Sequence, residues 1–212
     1  MRSAKVLVTV SNFKGGSAKT TTAFHVAAYL QTLGPTILGD GDIVRASVKW
    51  ASRGSGLPFN VVSIGQLDKE KRDAERNGTR YEHTVIDTEA NPSDQDFKDI
   101  AQGCDLLIIP TEPDSTARDG LIYTLAKLKD IGHHHHKILI TKSPPPPQSS
   151  AQKLRDELDA DNIPVFKTDI PFLAAFKKAS AQGTTVAQVK NDRNAWKGAI
   201  AYRRIGMEII DG

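Results

Sequence analysis

The chain has 212 residues, 28 Lys and Arg against 25 Asp and Glu, 39% hydrophobic residues and a net charge of +3. This is the length and composition of a globular protein with one domain, taken here as residues 1–212. No run approaches the ~20 apolar residues that a membrane-spanning helix needs. The apolar run at 6–10 is short and leads into a motif rather than a signal-peptide cleavage site. One cysteine, Cys104, excludes an internal disulfide and a Cys-cluster metal site, so the chain reads as cytoplasmic.

Short apolar, β-branched runs at 6–10, 36–38, 61–62, 84–86, 106–109, 138–141 and 165–166 predict strands. Stretches at 20–33, 46–52, 66–75, 93–101, 116–131, 151–160, 173–180 and 195–210 predict helices between them. Several strands are apolar throughout, as strands covered on both faces are. The alternation predicts an α/β fold: a mostly parallel, twisted sheet of about seven strands with helices on both faces. Ligands of such sheets sit beyond the carboxyl ends of the strands, and the residues singled out below fall there.

The first strand runs into Asn12-Phe-Lys14-Gly15-Gly16-Ser17-Ala18-Lys19-Thr20-Thr21 and then a helix. Strand, glycine-containing loop and helix start make a phosphate cradle, because loop and first-turn amides converge on an anion. Gly15 and Gly16 let the backbone come close. Lys19 reaches the β- and γ-phosphates and the Thr20 hydroxyl ligates Mg2+. A plain Gly-Gly turn leaves the Lys-Thr spacing unexplained. The common G-x-x-x-x-G-K-[ST] pattern is broken, with Phe13 and Ala18 at its glycine positions.

What fits is Lys-Gly-Gly-x-x-Lys-Thr, and here the chain resembles the ParA/MinD family of deviant Walker A ATPases over essentially its whole length. The resemblance implies a P-loop ATPase that sandwiches two ATP in a homodimer, with Lys14 crossing to the partner's nucleotide. Lys14, Lys19 and Asp42 are then the catalytic residues. Lys14, Gly15, Gly16, Ser17, Ala18, Lys19, Thr20, Thr21 and Pro171 bind the nucleotide. Ala18 stands where the family has glycine, and a β-carbon there strains the loop by ~1 kcal/mol.

Asp40-Gly41-Asp42 ends the second strand and resembles the family's Asp-x-Asp segment, in which the second aspartate orients the attacking water. The bland reading, an aspartate capping a turn or helix, competes with it. Asp87 ends an apolar strand and takes the position of a Walker B aspartate, so Thr20 and Asp87 form the Mg2+ side of the site. The run 106–114, with the residues to Gly120, resembles the family's dimer-interface segment. Thr168-Asp-Ile-Pro171 resembles its adenine-side turn. His25, Trp50 and Trp196 read as packing residues and Cys104 as a buried small apolar one. The four histidines at 133–136 fall in a loop position, natural or a tag, with a metal site the weakest reading. The prolines at 144–147 form a stiff spacer.

Charge is uneven. Lys177, Lys178, Lys190, Arg193, Lys197, Arg203 and Arg204 face only Asp192 between 177 and 204, leaving the rest of the chain net acidic. This is the footprint of a polyanion or a set of solvated helix faces. The acidic end, Glu208-Ile-Ile-Asp-Gly, is wrong for anionic lipid, and a lone cysteine does not supply an inter-subunit iron–sulfur site. The small ParA type remains. It implies non-specific DNA binding as an ATP dimer on the nucleoid, with release when an adaptor bound to a plasmid or carboxysome-like cargo stimulates hydrolysis. A metabolic enzyme of the dethiobiotin-synthetase type is the alternative, but no residues for its small-molecule substrate stand out.

Overall fold

A computed structural model describes residues 5–211. Six parallel strands form one sheet in the order β3-β2-β4-β1-β5-β6. They are β1 (Val6–Val10), β2 (Thr36–Gly41), β3 (Asn60–Ser63), β4 (His83–Thr88), β5 (Leu106–Thr111) and β6 (His136–Ile140). The helices are α1 (Lys19–Leu30), α2 (Ala46–Ala51), α3 (Leu67–Arg76), α4 (Asp94–Gln102), α5 (Ser115–Asp130), α6 (Ser150–Ala160), α7 (Ala174–Gln182) and α8 (Ala195–Asp211). Two 3-10 turns, Ile64–Gln66 and Val186–Gln188, precede α3 and α8.

The expected seventh strand at 165–166 is reduced to an isolated bridge between Ile138 and Val165, with a second bridge between Ser143 and Pro171. The reason is local: Pro164 and Pro171 bracket the segment, and prolines supply no ladder donor. It still runs along the edge, since Phe166 and Ile170 donate their amides to Ile138 and Ile140. The expected loop at 133–136 is shorter by one residue, because His136 opens β6.

Pleating splits the core in two. Val8 and Val10 of β1, Leu38 of β2 and Val85 of β4 pack against Phe24, Val26 and Leu30 of α1 and against Tyr202 and Ile205 of α8. Leu107 and Ile109 of β5 and Ile138 and Ile140 of β6 face the other way, onto Phe97, Leu121, Leu128 and Leu154 of α4 to α6. The first cluster holds α1 rigidly under the sheet, which fixes the loop before it.

Trp50 is buried as expected, stacked on Phe24 with ring centroids 4.4 Å apart. Trp196 is not a packing residue: it is 58% exposed. The inner face of α8 carries Ala195, Gly198, Ala201, Tyr202, Ile205 and Gly206, and Gly206 lies so close to Tyr29 that an added Cβ would stand 2.1 Å from its ring. Trp196 lies on the outer face of the helix, in line with the exposed Ile200, Met207 and Ile210. Cys104 is half-buried against the second cluster, its thiol donating to the Ala101 carbonyl. Among the described residues no helix is long and apolar enough to cross a membrane.

Candidate functional site

The loop between β1 and α1 is held from below by its own asparagine. The Asn12 side-chain amide donates to the Pro110 carbonyl, and its carbonyl accepts from the Lys14 amide at 3.0 Å and from the Thr124 hydroxyl. From the side, Lys142 donates to the Gly16 carbonyl at 2.9 Å and pairs with Glu112, while the Thr141 hydroxyl donates to the Ser17 carbonyl. Gly16 (φ 81°) and Ala18 (φ 72°) are both left-handed. The expectation that a side chain at 18 sits in a strained backbone therefore holds. These turns leave Gly15 and Gly16 exposed over the N-terminus of α1, where first-turn amides have no intrahelical acceptor.

Lys19 is 7% exposed and folds back on the loop, donating to the carbonyls of Lys14 at 2.9 Å and Asn12 at 3.2 Å. Burial lowers its pKa, and the charges of Asp87 and Asp42 oppose that. Asp87 is fully buried. Its Oδ2 accepts from the Ser47 hydroxyl at 2.9 Å, and its Oδ1 has no hydrogen-bond partner among the described residues. Burial pushes its pKa up to about 7; the nearby Thr20 hydroxyl and the Ser47 hydrogen bond act against the rise, and Asp40 and Asp42 add to it. An orphaned carboxylate oxygen beside a threonine hydroxyl is a hard oxygen donor set, and it fits Mg2+. Thr20 and Asp87 would hold the ion, which would supply positive charge against a phosphate.

The two aspartates at the end of β2 divide the work. Asp40 is buried and structural, accepting from the amides of Asp42 at 3.0 Å and Val48 at 2.8 Å, so it ties down α2. Asp42 is half-exposed, and among the described residues its carboxylate accepts only from the Val44 amide. Ser47 and Asn12 went unnoticed in the sequence, since neither lies at a motif spacing; the fold alone brings them in.

A cavity of about 500 Å3 opens beside Ala18, Thr20 and Thr21 and runs between α2 and α7. Pro171 forms part of its wall, together with Phe172, Phe176, Trp50 and Tyr202. Lys14 lines a separate hollow with Phe13, Asn91, Asp94, Gly120 and Tyr123. A Cβ at Gly120 would stand 3.1 Å from the Lys14 Cβ, so the glycine leaves the path of that side chain open. Among the described residues the Lys14 ammonium has no ion-pair partner.

No protein-family model matches the chain. It is 28% identical over 204 residues to the maintenance of carboxysome distribution protein A of Gloeobacter kilaueensis, covering 96% of this chain and 93% of that one. The structure is similar to MinD in the MinC:MinD cell division protein complex of Aquifex aeolicus, with a TM-score of 0.74 at 13% identity over 98% and 96% of the two chains. It is similar also to a putative plasmid partition protein of Borrelia burgdorferi bound to AMPPNP, with a TM-score of 0.70 at 16% identity over 96% and 97%. The chain resembles the ParA/MinD family in sequence and shares its fold. The resemblance carried by the Lys14–Lys19 motif is thereby borne out.

All seven cations of the basic quarter are exposed, in differing surroundings. Lys177 lines the cavity beside the phosphate loop, and Lys178 is paired with Asp192 at 2.9 Å. Lys190 and Arg193 lie ahead of α8. On α8 itself Lys197, Arg203 and Arg204 are interleaved with the outward Trp196 and Ile200.

Proposed function

We propose that residues 1–212 form a ParA-like, Mg-ATP-dependent positioning ATPase. It hydrolyses ATP slowly and works as a homodimer around two nucleotides, distributing a cargo such as a plasmid or a carboxysome-like organelle. The observation that carries this reading is the buried pair Lys19 and Asp87. Lys19 folds onto carbonyls of the phosphate loop, and Asp87 Oδ1 lacks a partner among the described residues. Such groups are costly to bury unless something else completes them, and a magnesium–triphosphate does so. The relatives, a carboxysome distribution protein, a cell division protein and a plasmid partition protein with a bound ATP analogue, support the same use.

In this reading the amides of 15–21 hold the phosphates, Lys19 swings from the Lys14 and Asn12 carbonyls onto them, and Thr20 with Asp87 takes the metal. Asp42 orients the attacking water. Lys14, free in its hollow, reaches the nucleotide of the second subunit and neutralises the phosphoryl group in flight. The base lies in the cavity at Pro171. Dimerisation doubles a weak set of backbone contacts made by the cations at 177–204, giving salt-sensitive, sequence-independent DNA affinity on the nucleoid. An adaptor that stimulates hydrolysis then releases the dimer.

Light scattering and electrophoretic shift of unrelated DNA fragments test this together. Mg-ATP should bring the chain to a dimer that shifts DNA at low salt, and ADP should not. Lys14→Gln should stay monomeric with nucleotide still bound, while Asp42→Ala should dimerise and hold ATP unhydrolysed. Nucleotide-independent DNA binding, or dimerisation untouched in Lys14→Gln, would defeat the proposal.

A further inference from the structure

A parallel sheet needs cover on both faces, and here one face is incomplete at its middle. On the far side from α1 and α8, the second core cluster covers β5 and β6. Toward the other edge, the side chains of Ile64 and Leu67 come down onto Gly39 of β2. Between these two coverings β1 and β4, the central strands, lie at the bottom of a groove of about 500 Å3. Leu7 and Thr9 of β1 and Ile86 and Thr88 of β4 make its floor. Ile64 and Ile100 stand on its two walls, and Ile64 is 48% exposed. Leu7 and Ile86 are only half-buried, although they occupy the two innermost strands.

The charges around this groove have one sign. Glu89, Asp96 and Asp99 line it, and among the described residues no Lys or Arg does. Among the described residues none of the three carboxylates is in an ion pair. The polar contacts they do make are local: Asp96 accepts from the Ser93 hydroxyl and Asp99 from the Gln95 amide. An acidic rim repels nucleic acid and anionic lipid, and an apolar floor gains nothing from small ions. A helix with an apolar face at i, i+3, i+4 and i+7 and lysines or arginines along its flanks satisfies both features at once.

We propose that this groove is a docking site for a cationic amphipathic helix of a partner protein. Its upper end is formed by Gly41, Thr88 and Glu89, the immediate neighbours of Asp42 and Asp87. Thr88 also donates to the Val10 carbonyl and Ser11 hydroxyl at the root of the phosphate loop. A docked helix therefore presses on both strand ends that bear those aspartates. This coupling rests on the nucleotide reading above; the docking itself does not.

The probe is a fluorescein-labelled helical peptide of leucine and lysine, with leucines on one face, titrated into the nucleotide-free chain. Binding is read by anisotropy and located by isoleucine methyl NMR. The expected result is saturable binding that shifts the methyls of Ile64, Ile86 and Ile100 and leaves Ile43 and Ile122 in place. Asp96→Lys with Asp99→Lys, both on the solvent side of α4, should weaken it at least tenfold; Ile64→Gln should weaken it several-fold. A peptide with glutamate in place of lysine should not bind. Repeating the titration with Mg-AMPPNP reads the coupling separately, since a failed nucleotide reading leaves the peptide affinity unchanged and the docking intact. The proposal is overturned if the lysine peptide does not bind, shifts other methyls, or ignores the charge reversals. It is overturned equally if the same three methyls broaden with protein concentration alone, which would make the groove a contact between copies of this chain.

Discussion

Two polar groups buried on the same helix have opposite fates. At the N-terminus of α1, Lys19 is turned onto loop carbonyls while Asp87, across from it, keeps an oxygen without any partner. Two turns on, His25 is equally buried yet fully used. Its Nδ1–H donates to the Thr21 carbonyl at 2.7 Å, its Nε2 accepts from the Val186 amide at 2.9 Å, and its ring stacks on Tyr202. The histidine pins α1 to the turn before α8, whereas Asp87 keeps one oxygen unpaired among the described residues and, in the function proposed above, awaits with Lys19 a charge from outside. Incomplete pairing inside an otherwise satisfied interior distinguishes a site from a strut.

The sharpest way to break that contrast is Lys19→Met. If the lysine serves a ligand, Mg-ATP affinity should fall at least about a thousandfold, or ~4 kcal/mol. The melting temperature of the nucleotide-free protein should stay level or rise, because a desolvated ammonium has been removed. Isothermal titration beside differential scanning calorimetry reads both. A stability loss with affinity retained would make Lys19 a strut like His25.

The same contrast predicts a pH dependence from the other partner. Burial lowers the pKa of His25 from 6.5 to about 4, so the imidazole is neutral in the fold. Between those values the unfolded chain takes up a proton that the native state refuses. The histidine's contribution is therefore complete above pH 6.5 and lost as the pH falls toward 4, by ~3 kcal/mol in all. Urea midpoints at pH 7.5 and 5 should show this fall in the wild type. His25→Phe should start lower, through the orphaned Val186 amide, and show a smaller acid loss than wild type. Equal acid losses in the two proteins would exclude His25 as the cause.

The Lys14–Thr20 spacing carried the phosphate cradle because a P-loop is local: strand, turn and helix start are consecutive in sequence, and so are their physical demands. The strands and helices were legible for a similar reason, their periods being set over short windows. What stayed hidden is held together across the chain. Ser47 reaches Asp87 over 40 residues, Lys142 reaches Gly16 over 126, and Val186 reaches His25 over 161. Trp196 was misjudged because hydrophobicity alone does not reveal which face of α8 turns to solvent: Tyr202 and Ile205 take the inner face and Trp196 the outer one. Asp40 and Asp42 show the finer limit. The resemblance singled out Asp42 and gave Asp40 no part, and only the geometry of α2 reveals Asp40 as a tie.

The smallest expected effect lies at the junction of site and strut. Ala18 is held at φ 72° as the residue that caps α1, with no side-chain hydrogen bond. A left-handed backbone costs a residue with a β-carbon about 1–2 kcal/mol, and glycine gives back roughly 0.5–1 of that through its freer unfolded chain. Ala18→Gly should therefore stabilise the nucleotide-free protein by a net ~0.5–1 kcal/mol, read as a shift of the urea midpoint at unchanged slope. A loss of stability would mean that contacts of the alanine methyl outweigh the strain of its backbone, and the loop would be ordered by packing more than by its turn conformation.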